Sequence, residues 1–208
     1  YMIVQMIGIV SAQGVLALGN PNGYSLFIII SILVSISFAP ILLSVSPTPA
    51  FERTKPMSLA QLFRSSPLGC VGMFLLGGVF SAQFGMSAVF GSQIGLSLSK
   101  ISLFVAAFYI GAMIFQYPIG WMSDRMDRRL LILLISASSA GGSVFAYFAG
   151  DYFFALVFAA FLVGGLSNPL YSLIIAHAND FIEYEDMASA AAGLLFVNGI
   201  GAISGPLI

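Results

Sequence analysis

Charged side chains are scarce in this sequence. Asp, Glu, Lys and Arg together make up 7% of the 208 residues, and hydrophobic residues make up 59%. An ordinary soluble domain has roughly 25% charged residues. Because a soluble protein needs a charged exterior to stay dispersed in water, this composition argues against the soluble class. It predicts an exterior that faces lipid.

The few charges are confined to short clusters. No Asp, Glu, Lys or Arg occurs in residues 1–51, 65–99, 101–123, 130–150, 152–179 or 187–208. A membrane helix needs about 20 apolar residues. The first run is interrupted by a turn signal, Gly19–Gly23. The sequence therefore predicts seven helices, at 1–18, 24–45, 68–90, 101–122, 130–149, 153–175 and 187–208.

Residues for catalysis or for holding a cofactor are also lacking. The single cysteine, Cys70, has no second cysteine with which to form an internal disulfide, and we interpret it as a small packed side chain. The sequence contains no nucleophile paired with a base, no metal-ligand cluster and no phosphate-cradling loop. We therefore expect neither an enzyme nor a bound metal or cofactor, and no nucleic-acid partner.

The basic residues predict the orientation. Successive loops alternate between the two faces of the membrane, and one face receives Arg53, Lys55, Arg64, Arg125, Arg128 and Arg129. The opposite face receives only Lys100. Since basic loops remain in the cytoplasm, the first face is predicted to be cytoplasmic. We expect a multi-pass protein of the bacterial plasma (inner) membrane.

The longest segment between predicted helices, residues 46–67, divides the chain. It contains Pro47, Pro49, Pro56 and Pro67 and is predicted to be a cytoplasmic linker. Its Leu59, Leu62 and Phe63, next to Arg64, predict a short amphipathic helix at the cytoplasmic surface. If each half has six helices, residues 1–45 are the last two of the first half and 68–208 the first five of the second.

The loop after the fourth predicted helix carries the most specific pattern. It reads Gly120, Trp121, Met122, Ser123, Asp124, Arg125, Met126, Asp127, Arg128, Arg129. It resembles the cytoplasmic signature loop of the major facilitator superfamily (MFS), which follows the second helix of a half. Met122 and Asp127 stand where that family usually has Leu and Gly. The resemblance assigns a gating role to Gly120, Ser123, Asp124, Arg125, Arg128 and Arg129.

The resemblance covers most of the chain. Asn168–Ser172, Ala176–Asp180 and the linker look like the YcaD-like branch of the superfamily. Gly193, Gly199, Gly201, Gly205 and Pro206 are similar to the glycine-rich fifth helix of each half. The resemblance implies an all-α membrane protein, a polytopic helical bundle with part of the MFS general-substrate-transporter fold, covering approximately helices 5 to 11 of 12.

The resemblance also implies a role for Asp124. This residue would tie the two halves together on the cytoplasmic side in one state, against the N-terminal end of the first helix, and release them in another. The alternative is that the loop serves only topology and packing. Four acidic residues before the last helix are candidates for a second cytoplasmic latch, with capping of that helix as the alternative. They are Asp180, Glu183, Glu185 and Asp186.

Uncharged polar residues are the candidates for a substrate cavity, because the predicted helices contain no carboxylate, Lys or Arg. Several share a helical face, and the candidates are Gln83, Tyr109, Gln116, Asn168, Tyr171 and Asn198, together with Ser87 and with Gln5 and Gln13 on the first helix. Hydrogen bonding between helices is the alternative role. His177 is the candidate for a coupling proton, or else it satisfies carbonyl groups at its helix end.

These features favour a secondary transporter that moves a small organic solute by alternating access. Its expected partners are the lipid bilayer, the solute and a coupling proton. The alternative is a non-transporting membrane sensor or scaffold with the same fold.

Overall fold

A computed structural model describes residues 2–18, 23–43, 57–150 and 152–207. Throughout these ranges the regular structure is helical. The α-helices are α1 Met2–Leu18, α2 Ser25–Ser37, α3 Ala39–Leu42, α4 Leu59–Ser65, α5 Pro67–Phe80, α6 Ser87–Gln93, α7 Leu98–Ser123, α8 Arg128–Ala149, α9 Phe153–Asn179 and α10 Met187–Ser204. A π-helical segment, Ser81–Met86, joins α5 to α6, and short 3-10 turns, Tyr184–Asp186 and Gly205–Leu207, flank α10.

Five of the described helical stretches are long and apolar enough to cross a membrane. They are Pro67–Gln93, Leu98–Ser123, Arg128–Phe148, Phe153–Asn179 and Tyr184–Leu207. They confirm the last five predicted helices. The first two predicted helices correspond to α1, with 17 residues, and to α2 followed by the four-residue α3. The predicted linker residues Arg53 and Lys55 and the prolines Pro47, Pro49 and Pro56 lie outside the described residues.

Several helix boundaries lie one to four residues from the predicted ones, among them the start of α7 and the end of α9. Helix α7 begins at Leu98 after Ser97, whose extended backbone (ψ 156°) marks its start, so Lys100 lies in the first turn and not in a loop. Helix α9 continues to Asn179, four residues past the predicted end, because no Gly or Pro interrupts Ala176–Asn179. The length of a charge-free run thus underestimates the length of a helix whose ends reach the polar membrane surface.

Helix α9 is the centre of the bundle. Half of its 18-residue apolar window is buried, the largest buried share among the five stretches. It packs against α7, α8 and α5, while α10 packs along α5 and α1 packs along α7. The main core cluster includes Met73, Leu131, Leu173 and Leu194. Helix α2, in contrast, has no buried residue.

The short helix α4 confirms the amphipathic segment predicted before the second bundle. Ser58 and Gln61 form a capping box at its start: Gln61 N–H donates to Ser58 Oγ, and Ser58 N–H donates to Gln61 Oε1. Its apolar face does not simply rest on the membrane surface, because Leu62 is only 1% exposed and belongs to the main core cluster. Gly193 of α10 leaves room for the Leu62 side chain. Helix α4 is therefore docked onto the bundle.

Glycine permits the closest contact between α10 and α5. A Cβ atom built at Gly201 would overlap the carbonyl oxygen of Phe74, which is main chain and has no rotamer that relieves the clash. Gly199, from the same glycine-rich run, has open space around the equivalent position. Within this glycine-rich run, close packing therefore requires glycine at Gly201 but not at Gly199.

We predict that Gly201→Ala destabilises the bundle and that Gly199→Ala does not. The first substitution forces α10 away from α5, and overpacking of this kind costs about 1–3 kcal/mol. The second gains the higher helix propensity of alanine without a clash. Thermal unfolding of the two variants of the full-length protein in the same detergent checks this. Equal melting temperatures for the two variants would contradict the close crossing.

Candidate functional site

A cavity of about 570 Å³ lies between α1 and the helices α5, α7, α9 and α10. It is lined by Gln5, Met6, Ile9, Phe80, Phe84, Tyr109, Asn168, Tyr171, Leu195 and Asn198. Four of the six predicted cavity residues are therefore brought together, along with Gln5. The lining side chains of this cavity carry no formal charge.

Both asparagines that line the cavity bond to main-chain groups through their side-chain nitrogens. Asn168 Nδ2 donates to the Gly164 carbonyl oxygen at 2.9 Å, and Asn198 Nδ2 donates to the Met73 carbonyl oxygen at 2.9 Å. These bonds fix which end of each amide is the nitrogen. Neither Oδ1 atom has a hydrogen-bond partner among the residues that the structure describes. Each is thus an acceptor available to a bound molecule.

Four aromatic rings form a continuous wall of the same cavity. The ring centroids of Phe80 and Phe84 lie 5.1 Å apart, and those of Phe84 and Tyr109 lie 5.4 Å apart with the planes 12° from parallel. Tyr171 stacks on the other side of Phe80 at 6.4 Å. Phe80 and Phe84 are not among the predicted cavity residues, although their four-residue spacing places them on one helical face. In a membrane helix two phenylalanines by themselves do not distinguish a cavity wall from a lipid-facing surface.

Gln83 and Gln116, the other two predicted cavity residues, lie elsewhere. Gln83 Nε2 donates to Ser167 Oγ at 2.7 Å, and Gln116 Nε2 donates to Ser172 Oγ at 3.3 Å, so each joins its helix to α9. Gln83 instead lines a second cavity of about 540 Å³ towards α8. It sits in the π-helical segment, where an extra residue in the turn rotates side chains relative to a continuous α-helix. Neither residue is among those that line the cavity beside α1, and their contact with a solute stays a prediction.

Arg128 joins the ends of α7, α8 and α9 at the predicted cytoplasmic side. Its Nε donates to Ser123 Oγ at 3.3 Å, and its Nη1 donates to the Ala176 carbonyl oxygen at 3.3 Å and forms an ion pair with Asp180. Asp127 begins α8 by accepting a hydrogen bond from Arg129 N–H at 2.8 Å. Its φ of −58° shows that the signature loop does not require a left-handed residue here.

The remaining charged residues of this end are held by aromatic rings or point outward. The Arg125 guanidinium lies 4.2 Å from the Trp121 ring centroid, and that of Arg129 lies 5.3 Å from the Phe181 ring centroid. His177 is buried, with its ring edge-on to Phe181 at 5.1 Å. Its part in proton coupling stays a prediction.

Asp124 is exposed at the end of α7, and its carboxylate has no hydrogen bond or ion pair within the described ranges. Gln5, Met6 and Ile9 of α1 line the same cavity as Tyr109, at the middle of α7. The described start of α1 therefore lies well away from Asp124 along α7. The pairing of Asp124 with the first helix stays a prediction.

The four acidic latch candidates have different surroundings. Asp180 pairs with Arg128 of the same bundle. Glu183 and Asp186 precede the 3-10 turn and α10, and neither side chain accepts a capping hydrogen bond. Glu183 and Glu185 are exposed. A latch formed by Glu183, Glu185 and Asp186 stays a prediction.

We predict that Arg128→Gln lowers the thermal stability more than Arg125→Gln does. Arg128 connects three helix ends, whereas the hydrogen bond of Arg125 goes to the Trp121 carbonyl oxygen of the neighbouring helix α7 alone. Because the Arg128–Asp180 pair is partly exposed, we expect an effect of about 1 kcal/mol. The measurement is thermal unfolding of both variants in detergent. A larger loss for Arg125→Gln would contradict this role for Arg128.

The family model of the Major Facilitator Superfamily matches residues 69–208. The chain is also similar to curated proteins along its length. An uncharacterized MFS-type transporter of Yersinia pestis (strain Pestoides F) is 24% identical over 208 residues, which cover 99% of this chain and 53% of that protein. An uncharacterized MFS-type transporter of Yersinia enterocolitica is 25% identical, with the same coverage of 99% and 53%.

The uncharacterized MFS-type transporter YcaD of Escherichia coli O17:K52:H18 is 26% identical over 159 residues, covering 74% of this chain and 39% of that protein. The chain thus spans about half the length of the first curated relatives it matches. No solved structure matches it significantly.

Proposed function

This chain belongs to the Major Facilitator Superfamily, and we propose that it supplies about half of a secondary transporter that moves a small organic solute by alternating access. The observation that carries the proposal is the uncharged cavity between α1 and the four helices α5, α7, α9 and α10. Helix α1 precedes the linker and the other four follow it. The cavity therefore lies between residues of the two proposed halves, which is where a rocking transporter binds its solute.

The proposed parent molecule has twelve helices, with residues 1–45 ending the first half, 46–67 linking the halves and 68–208 forming most of the second. The curated relatives are about twice as long as the matched region, which supports this division. The protein is an integral multi-pass membrane protein by its family and its five long apolar helices. We place it in the bacterial inner membrane, in contact with lipid.

The signature loop is the proposed cytoplasmic gate. Arg128 and Asp180 keep the ends of α7, α8 and α9 together as one rigid unit, while the exposed Asp124 carboxylate is available to the other half of the transporter. Glu183, Glu185 and Asp186 are available in the same way to basic residues of that half. A proton taken up at His177 is the proposed coupling step at this end.

The non-transporting sensor or scaffold is the weaker hypothesis. It requires no cavity, whereas about 570 Å³ of space lies where a solute would bind. An enzyme is disfavoured because the chain belongs to a family of transporters.

We predict that Leu195, which lines the cavity and is 57% exposed, becomes accessible from both sides of the membrane in turn. The test introduces Leu195→Cys into full-length protein without other cysteines. A membrane-impermeant maleimide is then applied to right-side-out and inside-out vesicles. Alternating access predicts labelling in both preparations. Val144→Cys, exposed on α8, is the matched control and should label in neither because α8 faces lipid.

Labelling of Leu195→Cys from one face only would favour the sensor or scaffold. A labelling pattern that stays the same under conditions that alter the conformational equilibrium would also favour the sensor or scaffold.

We predict that Asp124→Asn shifts this labelling towards the cytoplasmic face. Removing the charge weakens a gate that closes by charge-assisted hydrogen bonds. We expect the ratio of labelling from the cytoplasmic face to labelling from the opposite face to rise by about threefold to tenfold, the size of a charge-assisted contact at an interface. Arg64→Gln, which removes an exposed charge of α4 at the same predicted end, is the comparison variant and should leave the ratio unchanged. An unchanged ratio in Asp124→Asn would remove Asp124 from the gate.

A further inference from the structure

The chemistry of the cavity wall limits what the cavity can hold, and this inference rests on the proposed transport function. We propose that the solute is an uncharged, flat aromatic molecule that carries N–H or O–H donors. The cavity offers this solute two features. One is a wall of stacked aromatic rings, and the other is a pair of amide oxygens that have no hydrogen-bond partner among the described residues.

The ring wall favours a flat aromatic solute. Phe84 and Tyr109 are nearly parallel, and Phe80 continues the array to Tyr171, so the four rings form a surface on which another ring can stack or meet edge-on. Phe84 remains 43% exposed although it contacts two rings, so part of its surface is open to a bound molecule.

The amide oxygens select for hydrogen-bond donors. The Nδ2 groups of Asn168 and Asn198 are already bonded to main-chain carbonyl groups, so the amides cannot turn to offer donors without breaking those bonds. A solute with N–H or O–H groups satisfies the two Oδ1 atoms. A solute with only acceptors leaves them unpaired, which weakens its binding by about tenfold.

The described lining disfavours a charged solute of either sign. Amide oxygens and the faces of aromatic rings are both regions of negative potential, and they repel an anion. They attract a cation, but the lining side chains among the described residues include no carboxylate to balance a full positive charge in a membrane interior. A neutral solute with N–H or O–H donors is attracted by the same oxygens and ring faces without the cost of burying an ion.

Equilibrium dialysis of the full-length protein in lipid nanodiscs tests this with four probes that share one ring system. 2-Naphthamide is neutral with N–H donors, N,N-dimethyl-2-naphthamide is neutral without them, 2-naphthoate is an anion and 2-naphthylmethylammonium is a cation. Empty nanodiscs correct for partitioning into lipid. We expect 2-naphthamide to bind at least about tenfold more tightly than each of the other three, the ratio for one unpaired buried acceptor or one unbalanced charge.

Protein variants show whether the binding uses this wall. Phe84→Leu should weaken binding of 2-naphthamide by about threefold to tenfold, the value of one aromatic contact. Phe158→Leu removes an exposed ring from α9 that lies outside the cavity and should leave binding unchanged. An equal loss in the two variants would mean that the ring wall does not hold the probe.

Each other outcome overturns a stated part of the proposal. Charged probes that bind as tightly as 2-naphthamide would exclude a neutral solute, and equal binding of the dimethyl compound would exclude selection by the amide oxygens. Binding of none of the four would overturn the aromatic class. The expected preference in a protein whose Leu195→Cys variant labels from one face only would instead refute transport and leave the cavity chemistry intact.

Discussion

The cost of placing charge or unpaired main-chain groups in hydrocarbon determines most of this structure. A helix satisfies its own main-chain hydrogen bonds and is therefore the form that a charge-poor chain takes in lipid. Charged residues collect where helices reach the membrane surface, as Lys100 does at the start of α7 and Arg128 at the start of α8. There Arg128 can serve both as part of a helix end and as a connector between helices.

The same cost explains how the polar groups inside the bundle are arranged. Gln83 and Gln116 bond to serines of α9 and so hold helices together. Asn168 and Asn198 donate to main-chain carbonyl groups, and both line the cavity beside α1. They are the proposed polar contacts of a cavity whose other lining residues are mostly apolar. All four amides donate through their nitrogen atoms, and the two pairs differ in their acceptors, serine hydroxyls for the glutamines and main-chain carbonyls for the asparagines.

The sequence predicted the architecture well because helices in lipid depend on composition and length, both of which can be read directly. Five long spans and the short helix α4 agree with the structure, and four of the candidate residues line one cavity. The two glutamines are not among its lining residues for one physical reason: uncharged side chains at helical spacing bind a neighbouring helix as readily as a solute. For Gln83 the π-helical segment also changed the register, and no simple periodicity rule anticipates it.

Aromatic residues were the largest omission. Phe80 and Phe84 contribute a cavity wall only because Tyr109 and Tyr171, distant in sequence, stack against them. Contacts of this kind depend on how α5, α7 and α9 pack together. These contacts follow from the packing of α5 and α7 against the central helix α9.

The topology that all of this depends on is most directly tested by cysteine labelling in intact cells. Ser97 lies in the exposed loop before α7, and Glu183 lies in the exposed loop before α10, and each is replaced by cysteine in a separate variant. With an impermeant maleimide, labelling of Ser97→Cys in intact cells, and of Glu183→Cys only after the membrane is permeabilised, is the predicted result. Labelling of both positions from the same face would contradict the assignment of the basic loops to the cytoplasm and, with it, the account of the fold in the membrane.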